Sequence, residues 1–291
     1  NAGTLSNTGA GIIQSAQDLV INVSGDTLTN AKTIIAERDL TLTSIGDGMT
    51  LTNENGGFIQ SGTTSGDTLT IGGTAVALNN TGGTILSNQL AFTLASLSNA
   101  GAIQGGTAIS TIDVSGALNN AGTLTVATSG TGNNRVTADT LINTGTLQSG
   151  AGLTATIAQL LNNSGTLFAS NNLTSNSGSL TNSGTLQTNQ DATLTTVGAL
   201  TNSGKLMTFG TGAKDVITAS TLTNTETGVI QSENDLKLNI TDTLVNAGTL
   251  WGNSTGITVS SLNNSGTLQS DAAMNLTIGN GLANSGTLLS K

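Results

Sequence analysis

Histidine, cysteine, proline and tyrosine are all absent from the 291 residues, and each absence removes a class of chemistry. Without histidine and cysteine there is no Ser-His-Asp triad, no thiol nucleophile and no imidazole or thiolate metal site. Without cysteine, no disulfide marks a redox compartment. Aromatic rings number five, Phe58, Phe92, Phe168, Phe209 and Trp251, too few for a stacking platform on single-stranded nucleic acid. Charged residues make up only 8% of the chain and its net charge is −9. That composition opposes phosphate binding and excludes a coiled coil, a polyelectrolyte tail and charge-driven disorder. No apolar run approaches the roughly 18 residues of a membrane helix, and no basic, apolar, small-residue leader opens the chain. Neither membrane insertion nor a recognisable export peptide is expected.

What is present is a repeat. Hydrophobic residues at 35% with 39 glycines are enough to bury a core, and a fixed period decides how it is built. The triplet Leu-x-Asn begins at Leu5, Leu28, Leu51, Leu78, Leu97, Leu118, Leu141, Leu161, Leu180, Leu200, Leu222, Leu244, Leu262 and Leu282, at intervals of 18 to 27 residues. Variable spacing around a constant motif implies loops of variable length.

After the asparagine the usual continuation is x-Gly-Thr-Leu, as in Asn163-Ser-Gly-Thr-Leu167 and Asn182-Ser-Gly-Thr-Leu186. Glycine and asparagine tolerate positive φ, so the motif reads as a turn leading into a strand. Turns after Asn7, Asn53 and Asn224 are two residues longer, that after Asn80 is one longer, and Lys32 replaces the glycine in one copy, which predicts a different turn geometry there. A second extended segment follows with period two, as in Leu19-Val-Ile-Asn-Val23 and Leu236-Lys-Leu-Asn-Ile240. Each repeat thus supplies two short strands and a Leu-x-Asn stub, with no helical periodicity.

Such a unit cannot bury its own apolar side. Stacking successive units, each strand pairing in parallel with its equivalent one turn later, solves the problem. The expected fold is all-β: a single parallel β-helix of about 14 coils, about 21 residues per coil, roughly 67 Å long at a strand spacing near 4.8 Å. The chain, residues 1–291, reads as one continuous repeat domain, and because it begins inside a motif it reads as a piece of a longer protein. Leu28, Ile34, Leu40 and Leu42 are expected to touch Leu51 and Ile59 of the next coil. The asparagines Asn7, Asn30, Asn53, Asn80, Asn99, Asn120, Asn143, Asn163, Asn182, Asn202, Asn224, Asn246, Asn264 and Asn284 are expected to stack as a structural ladder of amides. Removing one, as in Asn163→Ala, should leave buried partners unsatisfied at a cost of about 1 to 3 kcal/mol.

The pattern intact in Leu262-Asn-Asn-Ser-Gly-Thr-Leu-Gln-Ser270 resembles the filamentous haemagglutinin repeats of two-partner-secreted exoproteins, including contact-dependent growth-inhibition effectors of the CdiA type. The resemblance covers almost the whole chain and is specific for the repeat class. It does not separate functions, because adhesins, haemolysins and toxin-delivery filaments share such repeats. It implies export through an outer-membrane transporter of a Gram-negative bacterium, a right-handed β-helix outside the cell, and service as a stalk that faces a target-cell receptor or host surface.

A further rhythm lies in the residue after the strand aliphatic: Gln14, Ile35, Gln60, Leu86, Gln104, Thr125, Gln148, Phe168, Gln187, Met207, Gln231, Trp251, Gln269 and Leu289. Glutamine alternates with another residue throughout. Duplication of paired coils accounts for this. Strand geometry adds that Ile35, Leu86, Phe168, Met207, Trp251 and Leu289 share one outer face, about 9.6 Å apart, as a row that can contact a partner, with Trp251 its anchor.

The rival class is a β-helical polysaccharide-active enzyme. Its only acid-base candidates are Glu37 with Asp39 and Glu233 with Asp235, yet aspartates recur at that corner (Asp18, Asp39, Asp191, Asp235) where they commonly bond turn backbone. Calcium-binding nonapeptides do not occur, and Gly46-Asp-Gly48 reads as a turn. Threonine pairs (Thr41 and Thr43, Thr154 and Thr156, Thr193 and Thr195) do not persist in neighbouring coils, which argues against an ice-binding array. Segments Ser61–Gly66, Ser129–Arg135 and Phe209–Lys214 read as protruding loops, and open strand edges at the ends favour end-to-end association. No cofactor, metal or catalytic residue is expected. The sequence reads as a non-enzymatic extracellular filament segment that projects receptor-binding or toxin regions toward a target cell; an enzyme, or a receptor-binding surface in the filament itself, are the alternatives.

Overall fold

Leu-x-Asn triplets pair with one another at every step, and this pairing defines the coil. In the computed structural model, which describes residues 3–210, 212 and 214–291, the chain divides into two compact units, Asn1–Gly152 and Leu153–Lys291. Each is a parallel β-solenoid carrying seven Leu-x-Asn coils, and no helix occurs among the described residues. In the first unit Leu5 faces Leu28 and Asn7 faces Asn30, Leu28 faces Leu51 and Leu118 faces Leu141. In the second, Leu161 faces Leu180, Leu200 faces Leu222 and Leu262 faces Leu282. Equivalent residues sit over one another although the intervening loops differ in length.

The x-Gly-Thr-Leu segments form the second stack, also parallel and in register: Ile34 over Ile59, Leu124 over Leu147, Leu186 over Leu206 and Leu250 over Leu268. The period-two segments stack next to the triplets, so that Leu40 and Leu42 face Leu69 and Ile71. Along these strands burial alternates, as in Leu40–Ser44 and Met49–Asn53, because successive side chains point to opposite faces. The inward set is aliphatic, and Leu28, Leu51, Leu78, Leu118, Leu222 and Leu268 are fully buried.

Two expectations are corrected here. The stub is not a separate edge in every coil: in Asn133–Asn143, Leu173–Asn182, Asp235–Asn246, Thr255–Asn264 and Met274–Asn284 it runs on from the alternating strand without a break. A register shift, for example between Ile240 and Thr243, takes up the bend instead, as β-bulges do. The protruding loops are also shorter than expected. Ser61 and Gly62 are buried and only residues 63–66 are exposed, and Asn133 to Arg135 already belong to a strand. Within Phe209–Lys214, Thr211 and Ala213 lie outside the described residues, and Lys214 begins a strand.

Candidate functional site

At the corner after each triplet the asparagine side chain turns inward and bonds to its counterpart one coil on. In the first unit Asn7 Nδ2 donates to Asn30 Oδ1 at 2.8 Å, Asn80 to Asn99 at 2.7 Å and Asn120 to Asn143 at 2.8 Å. In the second, Asn163 donates to Asn182 at 2.8 Å, Asn202 to Asn224 at 2.9 Å and Asn264 to Asn284 at 2.7 Å. The other amide proton goes to a backbone carbonyl of the next coil, as from Asn99 to Thr123 at 3.0 Å and from Asn246 to Thr267 at 3.0 Å. In each of these amide–amide bonds the donor belongs to the N-terminal coil and the acceptor to the C-terminal one. Asn30, Asn53, Asn80, Asn202, Asn224 and Asn246 are fully buried, so these bonds satisfy groups that water cannot reach. The corner is structural, as its periodicity in the sequence implies.

The glycine of the motif has a different reason from the one its turn suggests. Positive φ is confined to Gly9, Gly56, Gly66, Gly73, Gly82 and Gly130 among the described glycines, and the motif glycines Gly122, Gly184, Gly204 and Gly266 are not among them. They are required by close approach: a Cβ on Gly122 would lie 2.1 Å from the Gly101 carbonyl oxygen, and one on Gly204 would lie 2.1 Å from that of Gly184. Positive φ does serve the lengthened turns, at Gly9 and Gly56. The Lys32 turn has its own local bonding, with Asn30 Nδ2 donating to the Lys32 carbonyl at 2.9 Å and Lys32 N–H donating to Asn30 Oδ1 at 3.4 Å.

The opposite corner, after the x-Gly-Thr-Leu strand, gathers the carboxylates proposed as acid-base groups. Glu37, Asp39 and Glu233 are exposed. Asp39 Oδ1 accepts the Thr68 N–H at 2.8 Å, and Asp18 Oδ1 accepts the Asp39 N–H at 3.3 Å while lying 3.6 Å from Arg38 Nε. Asp191 accepts from Asn234 Nδ2 at 3.0 Å. Asp18 and Asp39 thus bond backbone of the neighbouring coil, as aspartates at turns do. A surface cleft of about 200 Å³ over Gly256 is lined by Lys214, Lys237 and one carboxylate, Asp235, without Glu233. Among the described residues no three His, Cys, Asp or Glu side chains are close enough to hold a metal ion.

Periodic reading missed Asp215. It is 1% exposed, and its carboxylate accepts hydrogen bonds from the Thr208 and Ser232 hydroxyls and from the Ala192 N–H at 2.6 Å. No repeat marks that position, so nothing in the spacing could have found it. Buried Ser61, Ser149, Ser232 and Ser270 also escaped attention, although the recurrent serine or threonine two residues after the strand aliphatic was a signal.

The alternating row faces outward. Leu147, Leu167 and Leu250 are buried, while Gln148, Phe168 and Trp251, which follow them, are partly exposed. Ile35, Leu86 and Met207 are likewise half-buried, Leu289 is 40% exposed, and Thr125 is buried. Register places Gln60 between Ile35 and Leu86 and Gln231 between Met207 and Trp251. Near the last coil, Gln269 Nε2 donates to Asp271 Oδ1 at 2.9 Å and Lys291 Nζ lies 3.0 Å from it. The Gln269 hydrogen bond first, and Lys291 next, hold the Asp271 carboxyl below its usual range.

The threonine pairs are interrupted as expected: Thr156 faces Asn176 and Thr193 faces Val216.

Comparison with known proteins adds one match. The haemagglutinin repeat matches residues 129–208, 209–255 and 251–291, together more than half of the chain, whereas no curated protein and no solved structure matches it. This repeat marks secreted or cell-surface proteins of a structural, adhesin-like class rather than an enzyme class. On its repeat, its stacked coils and its buried amide ladders, the chain belongs to the haemagglutinin repeat family.

Proposed function

We propose that the chain is a spacer segment of an extracellular stalk, carrying receptor-binding or toxic regions away from a Gram-negative surface for adhesion or contact-dependent growth inhibition. The observation that carries this reading is the ladder: one amide, one partner and one geometry recur through each unit. Nearest-neighbour stacking of this kind lets length grow by whole coils without a new core. Of the carboxylates weighed as catalytic, Asp39 is spent on a backbone amide of the neighbouring coil, which favours a mechanical over a chemical task. Export through an outer-membrane two-partner transporter, and a receptor or host surface as the distal partner, belong to the same proposal.

Excising residues 180–221, two whole coils, from the surface-displayed protein tests it. The expected result is shortened reach, seen by immunogold distance from the cell envelope, with receptor binding by the soluble protein retained. Loss of binding with intact display would overturn the spacer role and favour a receptor-binding surface in this segment.

A further inference from the structure

In the second unit the inward residues of the alternating strands stack coil on coil, and two adjacent coils carry hydroxyls in that stack. Ser175 lies in register with Ala155 on one side and Leu194 on the other, and Ser177 with Ile157 and Thr196. Further along, the same strands set Leu238 over Ile257 and Ile240 over Val259. All of these residues are buried. Among the described residues six buried side-chain polar atoms have no hydrogen-bond partner in the protein, and three of them are Ser175 Oγ, Ser177 Oγ and Thr196 Oγ1. The other three, on Ser44, Asn88 and Thr255, lie apart from one another along the chain.

We infer that this stack is a built-in yield point: the alternating strands at residues 173–177 and 192–196 part before the aliphatic stacks beyond them, while the rest of the unit stays wound. The inference goes beyond the spacer reading and does not depend on it. A serine in a leucine or isoleucine position buries little apolar surface against the coils on either side. A hydroxyl taken from water without a partner opposes even that burial. Both effects fall on one interface, because Ser177 faces Thr196 directly. In a solenoid each coil is held by its own contacts and those of its two neighbours, so strong stacks elsewhere do not rescue a weak one. Opening there is local and needs less free energy than unwinding the unit. The triplet strands cross the same interface with Leu180 over Leu200 and Asn182 Nδ2 donating to Asn202 Oδ1 at 2.8 Å, and they hold it closed on that side. Pulled or bent, the unit gives first at the hydroxyls and hinges on the ladder.

Native-state hydrogen exchange of the chain, followed by NMR, tests this. Amides bonded between residues 173–177 and 192–196 should exchange roughly tenfold faster or more than those between 237–240 and 256–259. They should also exchange faster than those between 180–182 and 200–202 of the same two coils. Thr196→Val keeps the side-chain shape and removes the hydroxyl, and should slow exchange across the interface roughly threefold or more. Thr193→Val, on the exposed face of the same strand, should leave it unchanged. Equal or slower exchange at the hydroxyl stack overturns the inference. Unchanged exchange in Thr196→Val overturns it too, and so does faster exchange, which would mean that the hydroxyls pair through buried water and hold the coils together. If Thr196→Val fails to fold by circular dichroism, Ser175→Ala decides by the same readout, with slower exchange expected.

Discussion

The two corners of the coil solve the same problem in opposite ways. At the asparagine corner every coil uses the same residue, the same partner atom and nearly the same distance, 2.7 to 2.9 Å across the ladder bonds. At the other corner the equivalent position holds Ser, Ala, Thr or Gly; in five coils a hydroxyl there accepts the N–H two residues on, and its further partners differ from coil to coil. Ser61 and Ser87 bond to each other at 2.6 Å, Ser149 donates to the Gly152 carbonyl at 3.1 Å, and Ser232 shares Asp215 with Thr208. The contrast shows what translation demands. A primary amide carries donor and acceptor in one group, so identical copies satisfy one another indefinitely. A serine hydroxyl also accepts but has a single proton to donate, against two on the amide, and the acceptor that takes it depends on the adjoining loop. Where loop length varies, the chemistry of the corner varies with it.

Substitutions can break or sharpen that contrast. The largest effect is expected from Gly204→Ala, since the new Cβ would lie 2.1 Å from a backbone carbonyl and the stacked corner cannot yield locally. A loss of about 3 kcal/mol or more in denaturant unfolding is expected. Gly256→Ala, where a Cβ meets nothing within 4 Å, should be neutral or stabilising by up to about 1 kcal/mol. Asp215→Ala removes three hydrogen bonds in a buried setting and should cost about 3 kcal/mol, though periodicity gives that position no weight.

Asn99→Ala and Asn224→Ala should each cost about 1 to 3 kcal/mol and differ little from one another, because each loses one ladder amide and one next-coil carbonyl. Unequal costs would break the claim of translational equivalence. Ser61→Ala, Ser149→Ala and Ser232→Ala should scatter between about 0.5 and 2 kcal/mol because their partners differ. The smallest effect belongs to Asp271. Its folded carboxyl titrates below its ordinary value, so its contribution is present above the unfolded value and is lost as pH falls through the folded one. Asp271→Asn should lower melting at neutral pH by less than any other loss named here and leave it unchanged at a pH below the folded midpoint, and a carboxyl titration by NMR should show the depressed midpoint move upward in Lys291→Ala.

Much of this architecture was legible because it repeats. Leu28, Leu51 and Leu78 announced a stacked interior by recurrence, and the asparagines announced a ladder by never varying. The outward row was legible for the same reason, since alternation along a strand fixes which side each residue takes. The glycines were legible as necessary but not for the right cause. Tolerance of positive φ is a property of one residue, whereas the crowding that would set a Cβ on Gly204 2.1 Å from the Gly184 carbonyl oxygen exists only after two coils are superposed. The fused strands, such as Asp235–Asn246, were hidden because a register shift leaves no mark in composition.

By itself, then, the amino-acid sequence determined the period, the strand content, the inward aliphatic stacks and the identity of the ladder residues, because each follows from residue types recurring at a spacing. Only the tertiary structure decided the direction of the ladder bonds, the crowding over the motif glycines and the buried carboxylate of Asp215. Those depend on which atoms of one coil lie above which atoms of another. Recurrence specifies that coils stack; it does not specify the contacts that arise where their loops differ.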